Sequence, residues 1–86
     1  MTKYQQNYQP GPVFHDAFLA GMRAKGLSSR TFAEKYGYYF QNLRSYSTGW
    51  TNGEKARTAR DQMIEEIGPA LFETLYAARM AQECQK

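Results

Sequence analysis

Apolar positions recur with a helical period from residue 12 onward. Phe14, Ala17, Phe18, Gly21 and Met22 fall on one helical face, so the spacing predicts a first helix from Pro12 to about Lys25, stopped at Gly26. Ser28 or Ser29 then offers an N-cap, and Phe32, Ala33 and Tyr36 form the apolar face of a short second helix ending at Gly37. Tyr39 or Phe40, Leu43, and Tyr46 or Ser47 keep the spacing of a third helix until Ser47-Thr48-Gly49 breaks it. Thr51-x-x-Glu54 matches a capping box and predicts the start of a fourth helix. Its stripe is Ala56, Ala59 or Arg60, Met63, Ile64 and Ile67. Gly68 closes it, and Pro69 opens a fifth helix with Leu71, Phe72, Leu75 and Tyr76 facing inward.

No segment alternates with a two-residue period, and the chain holds one valine and two isoleucines, so a sheet is not expected. The expected fold class is all-α, a compact bundle of about five short helices over residues 12–80. Residues 1–11, polar and broken by Pro10-Gly11-Pro12, read as a flexible N-terminal arm, and residues 81–86 as a frayed C-terminal tail. Trp50, directly after the third helix, reads as a plug under a loop.

Composition narrows the function. Eighty-six residues with 42% hydrophobic content make one small domain. The single cysteine, Cys84, excludes an internal disulfide and a thiolate zinc site, and is in keeping with a reducing cytoplasm. No apolar run approaches a membrane span and the first residues lack the pattern of a signal peptide, so a soluble cytoplasmic protein is expected. His15 is the only histidine, beside Asp16 and with no nucleophile at a persuasive spacing, and there is no glycine-rich phosphate loop. Neither an enzyme nor a metal, cofactor or small-molecule site is expected.

Charge adds a direction. Residues 23–60 carry eight basic side chains against Glu34 and Glu54, a local balance of +6, while residues 61–86 sum to −3 and residues 1–22 to zero. A cationic side on a small domain suits nucleic acid. The same basic stretch holds two helices joined at a glycine, with small Ala33 where they would cross, Phe32 beside it and Gly37 at the bend.

The run from Ser29 to Tyr46, SRTFAEKYGYYFQNLRSY, resembles the helix-turn-helix of the phage repressor and Cro family. The resemblance implies a lambda-repressor-like fold in which the first motif helix crosses the DNA backbone and the second enters the major groove. It turns Tyr39, Phe40, Gln41, Asn42, Arg44, Ser45 and Thr48 toward DNA, and leaves Phe32, Ala33, Tyr36, Gly37, Tyr38, Leu43 and Tyr46 structural. Tyr36, Tyr38 and Tyr46 depart from the smaller aliphatics usual there. Phe40 and Tyr39 suit a core position as well as a DNA contact.

Ser28, Ser29 and Arg30 stand at a helix N-terminus where a phosphate is favoured, although the serines also serve as simple caps. Asn52, Lys55 and Arg57 at the start of the fourth helix form a second phosphate cluster, with solvated charge as the plainer account. Apolar residues of the fifth helix suggest a homodimer contact through residues 69–80, which would set two recognition helices on a pseudo-palindromic operator in double-stranded DNA. The functional expectation is therefore a sequence-specific DNA-binding regulator of phage or prophage type, repressing by operator occupancy, in a bacterial or phage-infected cell. The alternative is a helical protein-interaction module, an antitoxin-like or inhibitor partner, docking through the aromatic stretch from Tyr36 to Trp50.

Overall fold

A computed structural model describes residues 8–84. Five α-helices form in order: α1 (Pro12–Ala24), α2 (Ser29–Tyr36), α3 (Leu43–Thr48), α4 (Glu54–Ile67) and α5 (Pro69–Cys84), with a 3-10 turn at Phe40–Asn42 leading into α3. No strand occurs among the described residues. The fold is an all-α bundle.

Local chemistry accounts for most of the boundaries. Pro12 opens α1, where its missing N–H and fixed φ do no harm. Between the two candidate serines, Ser28 is the cap of α2: the Thr31 N–H donates to its Oγ at 3.2 Å, and its own N–H donates to Thr31 Oγ1 at 3.0 Å. At the other end Gly37 takes φ 79°, a left-handed conformation that a side chain would strain, and both its N–H and that of Tyr38 reach the Ala33 carbonyl at 2.9 Å.

The core lies where α1 meets α3, α4 and α5. Phe14, Phe18 and Met22 of α1 meet Phe32 of α2, Leu43 of α3, Met63, Ile64 and Ile67 of α4, and Phe72 of α5, all almost wholly buried. Gly21 lets α1 and α4 touch: a Cβ there would stand 2.6–2.8 Å from three side-chain carbons of Ile67. On the opposite side of α1, Arg79 of α5 pairs with Asp16, Nη2 to Oδ2 at 2.8 Å.

Four expectations about the elements and their ends need correction. First, the capping box at Thr51 does not form; Gly53 is the cap residue of α4, without a side-chain bond, and the Thr51 N–H instead donates to the Ser45 carbonyl at 3.2 Å. Second, the third helix begins as a 3-10 turn, which leaves α3 itself six residues long. Third, α5 continues to Cys84, past the expected fraying point at Met80. Fourth, part of the segment read as a flexible arm joins the fold. The Tyr8 ring sits edge-on to Phe72 and Tyr76 with centroids 5.0 Å from each, the Gln9 N–H donates to Tyr76 Oη at 3.2 Å, and the Gly11 N–H donates to the Ser47 carbonyl at 3.1 Å. Apolar cover for Phe72 outweighs the polar composition of its neighbours. Residues 1–7 and 85–86 lie outside the described residues.

On α5, Leu71, Leu75 and Tyr76 pack partly against the chain's own core, and Met80 is the exposed large apolar residue.

Candidate nucleic-acid interface

The site begins with the tyrosines that set the motif apart. Phe18, Phe32, Tyr36, Tyr38 and Tyr46 form one aromatic cluster: Phe32 meets Phe18 edge-on at 5.3 Å and stacks with Tyr38 at 6.1 Å, and Tyr38 meets Tyr46 edge-on at 5.7 Å. A phenol can replace an aliphatic here because its hydroxyl finds a partner at the rim. Tyr36 Oη donates to Glu66 Oε1 at 2.9 Å and Tyr38 Oη to Gln62 Oε1 at 2.5 Å, so two of the three motif tyrosines anchor the bend to α4. Burial pushes both phenols above their ordinary pKa. Lys35 adds an ion pair to Glu66 at 2.9 Å, which holds that carboxyl below its usual range.

From this base the segment 39–48 turns a mixed face outward. Tyr39 is 71% exposed and Phe40 43%, and Gln41 and Arg44 are exposed. Asn42, Ser45 and Thr48 are half-buried, and the Thr48 hydroxyl is occupied, donating to the Arg44 carbonyl at 2.7 Å. The Arg30 guanidinium lies over the Phe40 ring, 4.6 Å from its centroid, which joins the start of α2 to the 3-10 turn. Ser29, Phe40, Gln41, Leu43 and Arg44 line an open cavity of about 400 Å³ whose remaining walls are His15 and Leu19 of α1. Four of the sequence-derived candidates therefore converge on one groove, with Arg30 held beside it.

The second cluster is arranged differently. Lys55 is exposed, its Nζ 5.8 Å from the Tyr38 ring centroid. Arg57 donates to the Asn52 backbone carbonyl at 3.1 Å, and Asn52 Oδ1 accepts from Arg60 Nη2 at 2.5 Å. Asn52 thus has an internal task, holding the loop. Ser28 has one too, as the cap of α2.

Sequence reasoning passed over two residues that shape this face. Arg60 is 1% exposed, and its Nη1 donates to the Tyr46 carbonyl at 2.7 Å, so a buried guanidinium ties α4 to α3 and to the loop at Asn52. Burial and the neighbouring Arg57 lower its pKa. The signal was an arginine on the apolar stripe of the fourth helix. His15 Nδ1 meets Ser47 Oγ at 2.6 Å, and Ser47, wholly buried, also donates to the Arg44 carbonyl at 3.3 Å. Burial, then Arg44, lowers the His15 pKa against the opposing pull of Asp16.

Trp50 corrects the sequence reading outright. It is 88% exposed, and the loop is held instead by the buried Arg60 guanidinium, which bonds to the Tyr46 carbonyl and to Asn52 Oδ1. Among the described residues no three His, Cys, Asp or Glu side chains gather to hold a metal ion, and no helix is long and apolar enough to cross a membrane. No protein-family model, curated protein or solved structure matches the chain.

Proposed function

We propose that this protein is a sequence-specific regulator that binds duplex DNA, with the segment 39–48 as its recognition element in the major groove. One observation carries the reading: Gln41 and Arg44, two side chains suited to base edges, share an exposed groove with Ser29 and Phe40, flanked by Arg30. Arginine pairs in bidentate fashion with guanine and glutamine with adenine, while Phe40 offers an apolar surface to a thymine methyl. Arg30, Lys55 and Arg57 supply phosphate contacts, whose strength falls with salt. Asn42, Ser45 and Thr48, half-buried, contribute at the margin of the face.

The protein on this reading represses by occupying an operator in a bacterial or phage-infected cell, as the phage repressor and Cro family does. A homodimer through residues 69–80 would match a pseudo-palindromic site. The exposure of Tyr39 and Trp50 favours a second reading, a helical module that docks on another protein through this aromatic stretch.

Selecting duplexes from a random-sequence pool at two salt concentrations separates the two. The DNA reading expects an enriched pseudo-palindrome, weaker binding at high salt, and a loss of roughly five- to hundredfold on the selected site for Arg44→Ala or Gln41→Ala. Enrichment of no sequence, with both variants matching the parent, would overturn it and direct attention to a protein partner.

A further inference from the structure

Three of the five large apolar side chains exposed among the described residues, Tyr39, Phe40 and Trp50, fall in the twelve positions from 39 to 50. Phe40 is partly covered by Arg30. Trp50 has no such cover, and an indole leaves roughly 150–250 Å² of surface for a partner to bury.

Its exposure is built in, because the residues around it are fastened. The Thr51 N–H donates to the Ser45 carbonyl at 3.2 Å, Asn52 is held by Arg57 at 3.1 Å and Arg60 at 2.5 Å, and Pro10 packs where Gly49 lacks a side chain. Ordering this loop on binding therefore requires little further loss of backbone freedom. The surroundings also indicate what covers it. Arg44 precedes the loop, Lys55 and Arg57 follow it, and Glu54 is the one acidic residue between 44 and 57. An exposed ring on a loop that cations flank in the sequence, one of them, Arg57, bonded to the loop at Asn52, suits the sugar-phosphate backbone, where a sugar takes the ring and the phosphates take the charge.

We infer that Trp50 is a DNA-contact residue, its indole packed on a deoxyribose of the backbone strand bordering the groove that α3 enters. The inference rests on the DNA-binding reading above and extends it to the loop between α3 and α4. A sugar contact carries no sequence information, so Trp50 adds affinity on every duplex and leaves selectivity to Gln41 and Arg44.

Trp50 is the chain's single tryptophan, so its emission reports this one position. The experiment titrates the purified protein with a fluorescently labelled duplex from the selection, following the anisotropy of the label and, in parallel with unlabelled duplex, the indole emission. Trp50→Ala and Trp50→Phe are carried alongside, with folding checked by circular dichroism. The expected result is a change in indole emission with the same midpoint as the anisotropy. Trp50→Ala should lose about tenfold in affinity on the selected and on a scrambled duplex alike, the phenylalanine variant recovering part of it.

Binding with unchanged indole emission and unchanged Trp50→Ala affinity would overturn the inference while leaving the DNA reading intact. Absence of binding to any duplex would overturn both. An emission shift on concentrating the protein without DNA would assign the indole to a second copy of the chain, and would overturn the inference as well.

Discussion

Replacing Gly21 with alanine sets two known effects against each other at the α1–α4 contact. The added Cβ stands 2.6, 2.7 and 2.8 Å from Cδ1, Cγ2 and Cγ1 of Ile67, whereas carbon pairs prefer about 3.5–4.0 Å. Ile67 is fully buried, and its branched side chain keeps one strongly preferred χ1 in a helix, so it cannot simply turn away. Overpacking of this kind costs about 1–3 kcal/mol, and the better helix propensity of alanine offsets about 1 kcal/mol. Three contacts under 3 Å put the cost in the upper part of that range, about 2–3 kcal/mol, so the packing term wins by about 1–2 kcal/mol and lowers Tm by roughly 4–16 °C for a domain of this size. Urea unfolding followed by far-ultraviolet circular dichroism measures it.

Two partner variants identify the cause. Ile67→Val keeps Cγ1 and Cγ2, so alanine at 21 remains destabilising beside it. Ile67→Ala removes all three contacts; in that background Gly21→Ala should be neutral or stabilise by up to about 1 kcal/mol, a coupling of about 2 kcal/mol. A stabilising Gly21→Ala in the parent, or the same loss in both backgrounds, would refute the close approach of α1 and α4.

Three further outcomes are expected. Ser28→Ala should lower stability by about 1 kcal/mol, since it deletes the α2 cap, while Thr51→Ala should leave it within about 0.5 kcal/mol; equal losses in urea unfolding would count against both cap assignments. The folded-state pKa of His15 lies below its ordinary value, so the unfolded chain takes up a proton first as pH falls, and stability declines from about pH 6.5 downward. His15→Gln should flatten that decline, and an unchanged urea midpoint difference between about pH 7.5 and about pH 5.5 would argue against it. Glu66, lowered by its hydrogen bond from Lys35, acts further into acid: its contribution is complete above the ordinary carboxylate range and disappears as pH falls through the folded value. Glu66→Gln should therefore weaken the parent at neutral pH and converge with it in acid, which paired urea titrations would show.

Those elements governed by local chemistry were legible in the sequence. Pro12, Gly37, Gly68 and Pro69 mark their helix ends, and the buried faces of α1 and α4 follow the apolar spacing. The misread positions were decided by partners outside their own helix or loop. Thr51 is drawn back to Ser45, which moves the cap to Gly53, and Tyr8 is captured by Phe72 and Tyr76. Trp50 was misplaced because its size argued for burial, while the loop is held instead by Arg60 and its bonds to Tyr46 and Asn52. For the site, the outward position of Gln41 and Arg44 could be read from helical spacing. Their convergence with Ser29 and His15 could not, since it depends on how α1 lies across the motif.

The pairing of α1 with α5, closed by Arg79 on Asp16 and by Phe72 on Phe14, bears on how the chain is made. During synthesis α1, α2 and the aromatic bend leave the ribosome well before the helix that seals them. Until α5 arrives, Phe14 lacks a covering ring and the face of α1 that α5 covers stays open to water. Contacts spanning so much of a short chain delay consolidation relative to a bundle of sequential hairpins. The nascent helices α1–α4 are thus expected to need shelter from premature association, and this domain to become protease-resistant in a single late step once α5 has emerged.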